Sequence, residues 1–225
     1  MKKEWDHRGI IGKFEAHRSE ELAVAMSAYM RNQFPFLGIK TPLRKVLLKE
    51  QFQEYQLPEP ERLPEEVWKL YTLPEREYQY AAIALLEKMV KHLSLADLPF
   101  LRQLIESKSW WDSVDSIAPR ALGYVVQIQR DAGTLTMLEW SQADNMWTNR
   151  AAILHQLKYK QTTDTAVLSR IILEHAASSE FFLQKSIGWA LREYAKTDAD
   201  WVRTFVLEHE LMPLSKREAL KNINR

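Results

Sequence analysis

The sequence predicts an all-α fold built from repeated helix pairs, and three observations carry the prediction. Apolar residues recur at helical spacing, as in Leu22, Met26, Tyr29 and Met30 or Ala81, Leu85, Met89 and Leu93, and almost nowhere alternate as they would in strands. Glycine and proline are scarce, 6 and 9 in 225 residues, so the helical runs are interrupted only at short breaks. Similar residues also return at a fixed interval: Tyr80, Asp115, Arg150 and Lys185 are 35 apart, and so are Tyr124, Tyr159 and Tyr194. A period of this size with two helices per unit marks a HEAT-like or tetratricopeptide-like array, in which each unit buries its apolar face only by stacking on its neighbours. The Trp-Leu-Gly-Tyr pattern of tetratricopeptides is absent, which favours a HEAT-like solenoid. No linker rich in Gly or Ser divides residues 1–225, which favours one domain.

Each element follows from its punctuation. The Leu22–Met30 helix ends before Leu37 to Pro42, the next before Gln56 to Pro60, and a third before Thr72 to Glu75. The run through Ala81, Leu85 and Met89 stops at His92 to Asp97. Further breaks fall at Arg130 to Gly133, Gln142 to Asn145, Gln161 to Asp164, Ala177 to Glu180, Lys196 to Asp198 and Leu211 to Ser215. Thr72 with Glu75 and Ser215 with Glu218 have the Ser/Thr-x-x-Glu spacing in which side chains satisfy free N–H groups at a helix start. Helices of roughly 10 to 18 residues between such breaks pack as hairpins. Pro119 falls inside a helix, where it lacks the N–H that would bond the Asp115 carbonyl, and predicts a kink.

Composition narrows the chemistry. The absence of cysteine removes disulfides and thiolate metal sites and suits a reducing cytosol. No window approaches the roughly 20 apolar residues of a membrane span, and Met1 to Arg8 lacks the apolar run of a signal peptide. With 31 Lys and Arg against 30 Asp and Glu, the net charge of +1 does not mark a nucleic-acid binder, so an anionic partner must meet a local patch. Arg31 to Lys49 is such a patch, with Arg31, Lys40, Arg44, Lys45 and Lys49 and no acid until Glu50. The six histidines show no HExxH spacing, and the chain has no phosphate loop, Gly-x-Ser-x-Gly or dinucleotide fingerprint. The expectation is therefore no metal and no cofactor; a catalytic role would rest on a carboxylate with aromatics.

Setting Tyr80, Asp115, Arg150 and Lys185 as a zero column, Ala82, Ile117, Ala152 and Ile187 align at plus two. Offsets of four and seven return to the same helix face, so Trp111 at minus four, Asp115 and Arg150 at zero, Trp189 at plus four and Arg192 at plus seven share one stripe. On the inner helices of a solenoid that stripe faces the groove. Each residue alone has an ordinary reading, a tryptophan as core and Asp115 with Arg150 as an ion pair between repeats. Asp112 and Trp110 are read as support for the helix start.

Several segments then resemble one family closely: Phe36 to Pro42, Leu73 to Glu77, the Lys108-Ser-Trp-Trp-Asp-Ser-Val-Asp-Ser116 run, Arg150 to Leu154, Gln156 to Lys160, Ile187 to Trp189, Leu191 to Thr197 and Pro213 to Glu218. The chain resembles the bacterial AlkD-type DNA alkylpurine glycosylases, HEAT-like solenoids coiled as a right-handed superhelix with a concave DNA-binding groove. The resemblance implies a monofunctional glycosylase releasing purines alkylated at N3 or N7, such as 3-methyladenine and 7-methylguanine, from duplex DNA without flipping the base. It makes Asp115 the catalytic carboxylate, Trp111 and Trp189 the aromatic walls, and Arg150 a DNA contact near the site. Tyr29 becomes a further aromatic, and Thr41, Lys45, Lys158 and Arg192 contacts to the DNA backbone. Lys40 and Lys45 stand where the family pattern has other polar or basic residues. No lysine matches a Schiff-base role, so no lyase activity is expected. A monomer acting in the cytoplasm, nucleoid-associated when bound to DNA, completes the expectation; the alternative is a HEAT-like scaffold that binds DNA or protein without catalysis.

Overall fold

A computed structural model describes residues 1–221 and 223, and it is all-α. Fourteen α-helices are present among the described residues, with no strand beyond an isolated bridge between Lys3 and Tyr55. No helix among them is long and apolar enough to cross a membrane. The chain packs as two compact units, Met1–His92 and Leu93–Arg225.

Unit 1 contains α1 (His7–Glu15), α2 (Glu20–Tyr29), α3 (Thr41–Glu54), α4 (Leu63–Tyr71) and α5 (Arg76–Lys88). Asp6 and Ser19 cap α1 and α2 by accepting from Arg8 N and Leu22 N, and prolines open α3 and α4 where no N–H is needed. Ile10, Phe14, Leu63, Val67, Leu70, Leu85 and Leu86 form its core. The loop before α3 is held by an acid: the buried Glu77 carboxylate of α5 accepts from Leu37 N, Gly38 N and Ile39 N, each at 2.9 Å. Three N–H groups can converge because Gly38 takes φ 89°, a conformation that suits glycine.

Unit 2 contains α6 (Leu98–Glu106), α7 (Trp111–Ile117), α8 (Gly123–Ile128), α9 (Arg130–Ser141), α10 (Met146–Leu154), α11 (Thr165–Glu174), α12 (Phe181–Tyr194), α13 (Ala199–Glu208) and α14 (Pro213–Leu220). The repeat is visible in the helices themselves, since α5, α7, α10 and α12 begin at residues 76, 111, 146 and 181. The plus-two residues Ala82, Ile117, Ala152 and Ile187 are all at most 1% exposed, each in the core of its own unit. A minus-one column, not anticipated from the sequence, carries amides. Gln79 donates to the Tyr71 and Leu73 carbonyls, Asn149 to those of Trp140, Ser141 and Ala143, and Gln184 to that of Ser178. Gln79 and Asn149 close carbonyls at and just beyond the end of the preceding helix, and Gln184 closes one in the connection before its own helix. Val114 fills the same slot in α7 and is fully buried.

Four local expectations need correction. Arg130 to Gly133 is not a break: the chain turns at Gln129, and α9 starts at Arg130. Gly133 serves packing instead, since a Cβ there would lie 2.8 Å from Val126 Cα. Neither Ser/Thr-x-x-Glu pair forms a capping box. Thr72 follows α4 and its hydroxyl donates back to the Trp68 carbonyl, while Ser215 lies inside α14 and donates to the Gln184 carbonyl of α12. Pro119 does not simply kink its helix; residues Ala118–Leu122 form a wider π turn joining α7 to α8.

α12 and α14 cross closely at Gly188. A Cβ on Gly188 would lie 2.4 Å from Glu218 Cβ and 3.0 Å from the Ser215 carbonyl. Replacing glycine by alanine in an unobstructed helix gains about 1 kcal/mol. Gly188→Ala is expected to do the opposite and lower the unfolding free energy by about 1 to 3 kcal/mol, because α14 must move away. Urea denaturation measures the sign.

Candidate active site

The site is built at the start of α7. Trp110 is extended, Lys108 takes φ 47°, and the turn places Trp111 and Asp115 one helical turn apart. Across from them α10 presents Arg150, whose Nε donates to Asp115 Oδ1 and Nη2 to Oδ2, both at 2.8 Å. A third guanidinium nitrogen donates to the Phe182 carbonyl of α12. The pair is largely withdrawn from solvent, the side chains 17% exposed for Asp115 and 5% for Arg150. Such a two-point fork fixes the carboxylate plane rather than merely neutralising its charge. Burial pushes the Asp115 carboxyl up from its ordinary value; Arg150 opposes that shift and the Asp112 charge adds to it.

Asp115 and Arg150 open into a cleft of about 270 Å³ lined also by Trp111, Phe181, Phe182, Lys185, Trp189 and Arg192. The stripe predicted from the repeat therefore assembles around one cavity. Trp110 lies behind it, packed with Trp147 and Phe182 at centroid distances of 5.7 and 5.1 Å. The arrangement joins an oriented carboxylate to two indoles, a lining suited to a cation.

Residues 10–223 match the family model described as DNA alkylation repair enzyme. The chain belongs to the DNA alkylation repair enzyme family. Among solved structures, one titled as a predicted DNA alkylation repair enzyme from Enterococcus faecalis is 37% identical, with a TM-score of 0.84 over 91% of this chain and 96% of that one. The smu.31 protein of Streptococcus mutans UA159 is 19% identical with a TM-score of 0.61 over 80% and 96% of the two chains, a likeness of fold alone. No curated protein matches the sequence significantly.

Membership in a DNA alkylation repair family carries a role in alkylation repair and an encounter with DNA, and the expected contact residues of this family member sit as follows. Arg150 and Arg192 line the cleft, but both are already paired, Arg150 with Asp115 and Arg192 with Glu218 of α14. Lys158 is exposed just beyond α10 and is not part of the cleft lining. Tyr29, Thr41 and Lys45 belong to unit 1. Tyr29 is the exposed last residue of α2, Thr41 the exposed first residue of α3, and Lys45 borders a groove it shares with Lys2, Lys49 and Lys88.

Sequence reasoning missed Phe181 and Phe182. Their signal was present, since Phe181 occupies the same minus-four slot as Trp111, and at 55% exposure it is an apolar ring held at the cleft. His155, one of the six histidines, is a packed residue in this repair-family fold. It is 2% exposed, its Nδ1 lies 2.6 Å from the Ala152 carbonyl, and burial lowers its pKa to about 4.

Proposed function

We propose that the protein is a monofunctional DNA glycosylase that hydrolyses the N-glycosidic bond of purines alkylated at N3 or N7 in duplex DNA. The observation that carries the reading is the Asp115 carboxylate, clamped by Arg150 and opening into a cleft walled by Trp111 and Trp189. An N3- or N7-alkylated purine is already cationic and leaves as a neutral base when it takes the electron pair of the glycosidic bond, so no general acid is needed. Positive charge then builds on the deoxyribose, as in other glycosyl transfers with oxocarbenium-like transition states. Asp115 stabilises that charge and orients the water whose oxygen bonds to C1′, while the water proton passes to Asp115 or solvent. The indoles favour a cationic base by roughly 0.5 to 2 kcal/mol. Arg150 holds the carboxylate, and phosphates are met by Thr41, Lys45, Lys158 and Arg192, with Tyr29 as a further aromatic contact. The protein is taken to act as a monomer in the cytoplasm.

The test is base release from methylated duplex DNA. Wild-type protein is expected to liberate 7-methylguanine and 3-methyladenine without cutting the strand; binding to duplex with no release would instead favour the non-catalytic scaffold. Acidity gives an independent check. Only the ionised carboxylate stabilises a cation, and burial raises the Asp115 pKa above its ordinary value. The single-turnover rate should therefore fall as pH drops, and the fall should begin at a higher pH than an ordinary aspartate would give. A rate that stays level down into the usual aspartate range would remove Asp115 from this role.

A further inference from the structure

Two cations of the cleft, Lys185 and Arg192, are held from behind by one acid. Glu218 of α14 meets Lys185 Nζ at 3.0 Å through Oε1 and Arg192 Nη1 at 2.5 Å through Oε2, and its own carbonyl accepts a second bond from Arg192 at 3.2 Å. Glu218 is only 9% exposed. The packing that puts it there is specific. Gly188 lies between Lys185 and Arg192 on α12 and leaves the space that the Glu218 side chain fills, and the Ser215 hydroxyl bonds the Gln184 carbonyl at 3.1 Å. Lys185 holds the Glu218 carboxyl below the usual carboxylate range, with Arg192 adding to the effect, so the acid is ionised at neutral pH.

Without Glu218 the cleft lining would set three cations, Arg150, Lys185 and Arg192, against Asp115 alone. That balance suits a phosphate but opposes a cationic base and a sugar becoming cationic. We infer that Glu218 is a positioning and charge-balancing residue of this site: it fixes Lys185 and Arg192 where they can meet backbone phosphates and offsets enough of their charge for the cleft to accept an alkylated, cationic purine. Glu218 touches no reacting atom on this account. The inference rests on the glycosylase reading and names what tunes it.

The experiment measures single-turnover release of 7-methylguanine and the Kd for undamaged duplex in four proteins: wild type, Glu218→Gln, Glu218→Asp and the double variant Glu218→Gln with Lys185→Met. Glu218→Gln preserves shape and removes the charge. It should slow release by about tenfold, the effect of one uncompensated charge at moderate distance, while duplex affinity stays equal or tightens. Glu218→Asp retains the charge and should keep most of the wild-type rate. The double variant restores the balance and should release base faster than Glu218→Gln. A Glu218→Gln rate equal to wild type overturns the inference, as does a Glu218→Asp rate as low as that of Glu218→Gln, or a double variant no faster than it; each of the last two would mark Glu218 as packing only. If wild type itself releases no base, the glycosylase reading fails and this inference with it, whereas an active wild type with an indifferent Glu218→Gln removes the inference alone.

Discussion

Asp115→Asn is expected to bind duplex DNA as wild type does and to release 7-methylguanine about a thousandfold more slowly. The estimate is electrostatic. Opposite unit charges about 4 Å apart at an effective dielectric near 20 attract by roughly 4 kcal/mol, and each 1.36 kcal/mol of barrier is tenfold in rate. Asparagine keeps the size of the side chain and one acceptor for the Arg150 fork, which in wild type uses both oxygens at 2.8 Å. The change therefore removes the charge that meets the sugar while leaving much of the geometry. Circular dichroism and a duplex-binding titration on the same preparation separate lost chemistry from lost folding. Release at the wild-type rate would show that Asp115 does not stabilise the transition state.

Glu77→Ala should cost unit 1 about 4 kcal/mol of unfolding free energy. Its carboxylate satisfies Leu37 N, Gly38 N and Ile39 N at 2.9 Å and is itself fully buried. Removing it strands three buried donors, each worth roughly 1 to 3 kcal/mol when left unmade, and bonds to an ionised acceptor lie toward the upper end. A domain is stable by only about 5 to 15 kcal/mol, so the loss should be plain in a urea titration. A shift below about 1 kcal/mol would mean that the loop closes without Glu77.

How much of this was legible depended on what repeats. The 35-residue interval sets Asp115 level with Arg150, and the ion pair between repeats that is their ordinary reading is present at the cleft; the plus-two residues that the same interval aligns are core. The interval works because each repeat buries the same face. It fails for Glu218, which stands 33 residues after Lys185 rather than 35, and whose spacing from Ser215 imitates a helix cap. Only the packing of α14 on α12 separates the two uses of that motif. The Phe36 to Pro42 and Leu73 to Glu77 segments were recognisable as family motifs with no physical reason attached; Glu77 reaching back to the Gly38 turn supplies one. The amides Gln79, Asn149 and Gln184 also kept the period, but Val114 interrupts their series, and an interrupted column of common polar residues does not stand out in a sequence.

The π turn at Ala118–Leu122 bears on how this helix tolerates change in length. A wide turn takes up about one residue more than an α-helical turn over the same rise, and one residue of an α-helix corresponds to about 100° of rotation. The Gly123–Ile128 segment is thereby set round the axis relative to Asp115 by about that amount. Deleting Pro119, the residue that cannot complete an α-helical turn, would tighten the wide turn to an ordinary helix with both ends still facing their neighbours. The same deletion in α10 or α12 has no slack to draw on and would turn half the helix out of register.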